Sequence, residues 1–122
     1  VEVVRDHDGD FALGTHINGV RVPMVLDTGA TSVVLTQAAA KAAGLPLEVL
    51  NYTVNVDTAS GRTRAAPVTL DRVAVGGLVE RSVPALVVQS GQLKHSLLGM
   101  TFLNRLESWE VRGDTLRMTG NP

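Results

Sequence analysis

The chain is cut into short apolar segments by turn residues, and only one stretch has the length and spacing of a helix. That pattern sends most backbone polar groups into sheet pairing, so the fold must be a mostly β closed barrel or sandwich. Phe11, Leu13 and Ile17 share one parity, broken by Thr15, and Asn18-Gly19 follows them. Asn-Gly is the strongest two-residue hairpin signal, because both turn positions need positive φ. Val20 to Leu26 is the expected return strand, with Pro23 marking an edge or a bulge. The helix is expected over Thr36 to Ala43, capped by Thr36 and ended by Gly44 in the left-handed conformation.

Further along, Tyr52, Val54 and Val56 alternate with polar residues and lead to a tip, Thr58-Ala59-Ser60-Gly61. Arg62 to Leu70 returns from it, giving a long and rather polar hairpin. Val73 and Val75, Gly76-Gly77 and Val79 indicate another hairpin, and Pro84 to Val88 a buried strand. Leu97-Leu98 runs into Gly99 and a short helix through Leu106. Trp109 to Val111 and Leu116 to Met118 form a closing hairpin around Arg112-Gly113-Asp114. There is a faint two-fold echo, since an apolar strand, a glycine turn and a helix follow one another at Val25 to Ala43 and again at Leu97 to Leu106.

The 122 residues suffice for one domain, taken as residues 1–122, with one core. Aromatic residues make up only 3%, so Val, Leu and Ala must build that core. The formal charge of −1 lacks the basic surplus that a nucleic-acid or anionic-membrane binder needs. The absence of cysteine excludes a disulfide scaffold, thiol catalysis and Cys-ligated zinc. There is no apolar run of about 18 residues and no signal peptide. The chain opens on Val1 rather than Met, as an excised domain would, and an anchor is expected to lie outside it.

One segment carries chemistry: Val25-Leu26-Asp27-Thr28-Gly29-Ala30-Thr31. An acid directly after an apolar strand sits near the core, among backbone donors and little water. Thr28 can hydrogen-bond a neighbour, and Gly29 permits close approach of another backbone. Asp-Thr-Gly alone is a weak signal, and an Asx turn ending a strand is the ordinary reading of it. The context is stronger. Val33, Val34 and Leu35 follow, and about 70 residues after Asp27 comes a second apolar-apolar-glycine turn at Leu97-Leu98-Gly99. The polar hairpin lies between them.

With these features the chain resembles the retropepsin-like aspartic peptidases, single-lobe relatives of pepsin, in their bacterial branch. The likeness runs over roughly residues 11 to 118. It rests on Val25 to Leu35, the Thr58-Ala59-Ser60-Gly61 tip, Ala66 to Leu70, Leu97 to Leu103, and Glu110-Val111-Arg112-Gly113. It implies a closed β-barrel of the acid protease fold with one or two short helices. The implied activity is hydrolysis of peptide bonds by a water shared between two aspartates, one acting as base and one as acid. Only one Asp-Thr-Gly is present, so an active form would be a homodimer contributing Asp27 from each copy. The resemblance assigns Thr28 to a bond across the two-fold axis and Gly29 to close approach of the loops. It makes 53–64 a flap, with Val56, Ala59, Ser60 and Gly61 holding an extended peptide, and no cofactor or metal is implied. Val33 and Leu98 are the expected subsite walls. The resemblance also places such domains in the periplasm, tethered to the inner membrane by a segment outside this chain.

Two departures from retroviral members stand out. Thr31 occupies the place of a second acid, and Gly99 is followed by Met100-Thr101. Both fit the bacterial branch and weigh against a dimer held by retroviral helix contacts and interleaved termini. Val1 to Val4 and Leu116 to Met118 are available as terminal strands.

Other motifs carry less. Asp6, Asp8 and Asp10 around Gly9 lack calcium-loop spacing and read as a solvated turn. His7, His16 and His95 lack metal spacing, and no His-Asp pair accompanies Ser32, Ser60 or Ser90. Trp109 reads as a core or interface anchor, Arg112-Gly113-Asp114 as a hairpin turn, and Asn51-Tyr52-Thr53 as a glycosylation pattern without a fitting compartment. The rival to a peptidase is a monomeric module of the same fold that binds an extended peptide without cleaving it. A structural β-barrel subunit is a third reading.

Overall fold

The computed structural model describes residues 1–58, 61–89 and 93–122. In chain order the elements are β1 (Glu2–Val4), β2 (Ala12–Ile17), β3 (Val20–Leu26), β4 (Val33–Leu35), α1 (Gln37–Ala42), β5 (Val54–Thr58), β6 (Gly61–Val75), β7 (Leu78–Val88), β8 (Ser96–Leu98), α2 (Met100–Leu103), β9 (Ser108–Arg112) and β10 (Thr115–Thr119). A 3-10 turn at Leu47–Val49 follows α1. Among the described residues no helix is long and apolar enough to cross a membrane.

Six strands in the order β2-β3-β8-β4-β7-β6 curl until β6 pairs back onto β2, with Thr15 opposite Val75 and Ile17 opposite Val73. The result is a closed barrel, to which β5 is added at the outer edge of β6. Closure leaves no free edge in those six strands. The core is aliphatic, as composition requires: Ile17, Met24, Leu35, Leu70, Val73, Val83, Leu98, Leu103 and Leu116 are almost fully buried, with Phe102 the one large aromatic among them. Each such side chain contributes roughly 1.5–3 kcal/mol of burial.

Local signals explain the elements. Asn18 and Gly19 both have positive φ, and the β2–β3 hairpin turns on them. Thr15 does not interrupt the buried stripe of β2. It is itself fully buried, and its hydroxyl donates to the Val22 carbonyl at 2.6 Å, which satisfies the polar atom inside the core. Pro23 lies one residue before β3 begins pairing with β8 at Met24. The Thr36 hydroxyl accepts the Ala39 N–H at 3.1 Å and caps α1, while Gly44 at φ +81° follows its end. The Asp6 side chain accepts the N–H groups of Asp8 and Asp10, closing the acidic turn.

Three segments differ from expectation. β6 is one strand of 15 residues and β7 one of 11, where the expectation was separate pieces: Arg62 to Leu70, a hairpin over Val73, Val75 and Val79, and Pro84 to Val88. Asp71, Arg72, Arg81 and Ser82 are exposed and Glu80 is half-buried, while the pairing passes over Asp71 and Ser82 and resumes with Arg72 opposite Arg81. Ser82 at φ +52° bends the ribbon there, and the Arg105 guanidinium donates to the Arg81 and Ser82 carbonyls. The second helix is a single turn that ends at Leu103 rather than Leu106. The terminal strands do form, but β1 pairs with β10 of its own chain, in a separate sheet ordered β1-β10-β9.

Candidate active site

Asp27 stands immediately after β3, whose last residues pair in parallel with β8: Met24 with Ser96, Val25 with Leu97, Leu26 with Leu98. The two halves of the sequence echo therefore lie side by side. The Asp27 N–H donates to the Leu98 carbonyl at 3.1 Å, which fixes the backbone where the side chain departs. The Gly29 N–H donates to Asp27 Oδ1 at 2.9 Å, and the Ala30 N–H to the Asp27 carbonyl at 3.2 Å. The loop is thus wound around its own carboxylate. Its far end is held from the other segment, as Met100 N–H reaches the Ala30 carbonyl at 2.9 Å and the Thr101 hydroxyl accepts the Val33 N–H at 2.9 Å.

Gly99 makes that crossing possible. A Cβ placed there would lie 2.1 Å from the Ser32 carbonyl oxygen and 2.7 Å from that of Ala30. Its φ of −102° suits any residue, so the glycine is required by space and not by conformation. Thr28 and Gly29 are exposed and Asp27 is partly so. The loop presents its acid at an open surface of the chain.

Beside Asp27 lies a cleft of about 430 Å³. Its walls are the 27–32 loop, β5 and the aliphatic side chains Val34, Val56, Leu86, Leu93 and Leu97. These form a small second hydrophobic cluster with buried Ala65 and Val88, apart from the main core. The expected walls, Val33 and Leu98, are not in it. Both are fully buried in the main core, and their chain neighbours Val34 and Leu97 line the cleft instead. The cause is strand parity: successive side chains point to opposite sides. A continuous apolar run such as Val33-Val34-Leu35 does not mark which side is which, because both sides are covered.

The hairpin β5–β6 forms the outer wall. Val54 opposes Ala65 and Val56 opposes Thr63, and Val56 packs into the second cluster. Near the tip Arg62 Nε donates to Asp57 Oδ1 at 3.0 Å, and the Thr58 hydroxyl donates to the Gly61 carbonyl at 2.7 Å. The hydrogen bond to Asp57, and then that carboxylate's charge, hold the Arg62 guanidinium above its ordinary pKa, against the opposing effect of desolvation. Gly61 is exposed at the tip with φ +126°. Ala59 and Ser60, also expected to touch substrate, lie outside the described residues. β5 pairs only with β6, so its other edge has no strand partner among the described residues. Gln37, which sequence reading passed over, ties the base of this wall. Its amide donates to the Tyr52 hydroxyl at 2.8 Å and to the Val88 carbonyl at 2.7 Å.

The arrangement offers one carboxylate with a fixed backbone, an apolar trough and a strand edge beside it. Among the described residues no group of three His, Cys, Asp or Glu side chains converges.

Comparison with known proteins places this geometry. Residues 13–105 match the family model described as "gag-polyprotein putative aspartyl protease". A retropepsin-like aspartic protease from Rickettsia conorii superposes with a TM-score of 0.85 at 34% identity, covering 95% of each chain. The EIAV protease, solved with the inhibitor HBY-793, shares the fold at TM-score 0.62 and 19% identity, over 84% of this chain and 92% of that one. An uncharacterized protein in the cobV 5' region of Sinorhizobium sp is 40% identical over 111 residues, 91% of this chain. The uncharacterized protein RP867 of Rickettsia prowazekii is 35% identical over 114 residues, 93% of this chain. In both cases the chain spans 48% of the relative's length.

Proposed function

The chain belongs to the retropepsin-like aspartic peptidases, and from that membership we propose that it is an aspartic endopeptidase, active as a homodimer in which Asp27 of each copy shares one water. The observation that carries the proposal is the position of Asp27: its backbone is pinned to Leu98, its Oδ1 is held by the Gly29 N–H, and it stands at the head of an apolar cleft. A peptide laid extended along the free edge of β5 would take backbone hydrogen bonds there, as an added strand does. Its side chains would enter the aliphatic cleft, and a scissile carbonyl would be brought to the carboxylates. One Asp27 takes a proton from the water as it attacks. The other, protonated, polarises the carbonyl and then gives its proton to the leaving nitrogen. Two carboxyl groups at contact do not both ionise, so the pair holds the single proton this cycle needs. Thr28 and Gly29, exposed on the same loop, are proposed to meet their counterparts across the two-fold axis. Residence in the periplasm on a membrane tether is part of the same proposal and rests on the family resemblance.

The test is cleavage of an unstructured protein substrate, with products identified by mass spectrometry. The parent chain is expected to cut, and Asp27→Asn and Asp27→Ala to lose cleavage by at least about a thousandfold. Equal cleavage by those variants refutes the assignment. The binding-module reading is favoured instead if the parent retains an extended peptide, remains monomeric with it, and never turns it over.

A further inference from the structure

The small sheet β1-β10-β9 shares no strand pairing with the barrel, although its Leu116 and Met118 pack into the main core, and it has two outer edges. One belongs to β1, which has three residues. The other belongs to β9, which has five and pairs only with β10. An unpaired edge of this length is a template for another strand. Retroviral-style exchange of termini would need β1 to leave β10, yet β1 is bound to it within the chain. Glu2 opposes Arg117, and their side chains form a salt bridge of 2.6 Å.

The sequence of β9 is suited to meeting itself. Val111 pairs across β10 with fully buried Leu116, so it belongs to the apolar side of the sheet, yet it is 42% exposed. Glu110 and Arg112 flank it on the opposite, charged side. In an antiparallel pair of two β9 strands centred on Val111, Val111 meets the partner's Val111. Glu110 then stands opposite the partner's Arg112, and Arg112 opposite the partner's Glu110. The register is self-complementary in charge and covers the exposed valine, as an isologous two-fold contact requires. A centre on Glu110 would set like charges together.

Beyond Arg112 the hairpin turn brings the Asp114 carbonyl to the Arg5 N–H at 2.7 Å. The Arg5 guanidinium lies over the Phe11 ring at 4.3 Å, and the Phe11 carbonyl accepts the N–H of Leu26, the residue before Asp27. The turn between β9 and β10 is therefore joined, through the β1 side of the sheet, to the strand that carries the acid. We propose that two copies associate edge to edge through β9, with the two-fold axis at Val111, forming one continuous six-stranded sheet. This rests on the homodimer proposed above and names the surface that makes it.

The chain has no cysteine, which makes the test clean. Val111→Cys places two thiols on the axis at a separation a disulfide can span. Under mild oxidation this variant should become a covalent dimer, while Val4→Cys on the β1 edge should not. Failure of Val111→Cys to cross-link, or equal linking at Val4, overturns the proposal. In sedimentation, Glu110→Arg alone and Arg112→Glu alone should each weaken association at least about tenfold, and the double exchange should restore it. Singles without effect, or a double no better than the singles, also overturn it. Cleavage separates this proposal from the catalytic one. Asp27-dependent cleavage without linking at Val111 removes only the β9 interface. Linking at Val111 in a chain that cleaves nothing removes only the peptidase.

Discussion

Leu97 and Leu98 are chemically identical neighbours with opposite duties. Leu98 is fully buried in the main core, and Leu97 lines the cleft. Leu98→Ala should destabilise the chain by about 2–5 kcal/mol in urea unfolding, through lost transfer energy and the cavity it leaves. Leu97→Ala should cost clearly less stability and instead lower kcat/KM about tenfold for peptides with a bulky aliphatic side chain at that subsite. A reversed pattern would put the cleft on the wrong side of the strand. Gly99 gives the sharpest residue-level case. Gly99→Ala drives a methyl into the backbone carbonyls of Ser32 and Ala30, and the Ala30 carbonyl cannot yield without breaking its hydrogen bond from the Met100 N–H. A loss of about 3 kcal/mol or more is expected in the same unfolding measurement. The glycine in Leu97-Leu98-Gly99 was legible as a motif, but its reason was not. The clash involves residues about 70 positions away in the chain, and no local rule contains that distance.

At the scale of elements, α1 was legible because its signals are local. A hydroxyl at the cap and a glycine after the end act over a few residues. Thr36→Ala should cost about 1 kcal/mol in thermal or denaturant unfolding, since it removes the acceptor for the Ala39 N–H. The long ribbon β6–β7 was read as shorter pieces. Alternation reports burial, and burial lapses at exposed Asp71-Arg72 and Arg81-Ser82, although the two strands pair on both sides of that point. Gln37 shows the same limit from the other side. A polar residue at the start of a helix looks unremarkable, yet it joins Tyr52 and Val88 from two other segments. Gln37→Ala should loosen the base of the β5–β6 wall. Hydrogen exchange at Val54 and Val56 amides should speed up, with those in Val22–Met24 unchanged.

For the whole molecule, the governing fact is that one Asp27 per chain cannot make a pair. Specific activity should fall on dilution through the dissociation range, with a second-order dependence on chain concentration at the low end. An activity per chain that stays constant down to full monomer would end the shared-site reading. The terminal strands were foreseen as strands, and their pairing within one chain was not. Sheet partners far apart in sequence are chosen by what else lies near, and β1 and β10 meet only because the barrel brings both ends of the chain to one place.

Turns, the capped helix, the mostly β architecture and the place of the Asp-Thr-Gly loop at a strand end were settled by the amino-acid order itself, because each depends on φ preferences, period-two burial or a contiguous motif. Which face of each apolar strand lines the cleft, which carbonyls demand Gly99, and which described strand edges stay unpaired were decided only when the chain closed into a barrel. Those depend on distances between segments remote in sequence, and they come into being only with closure.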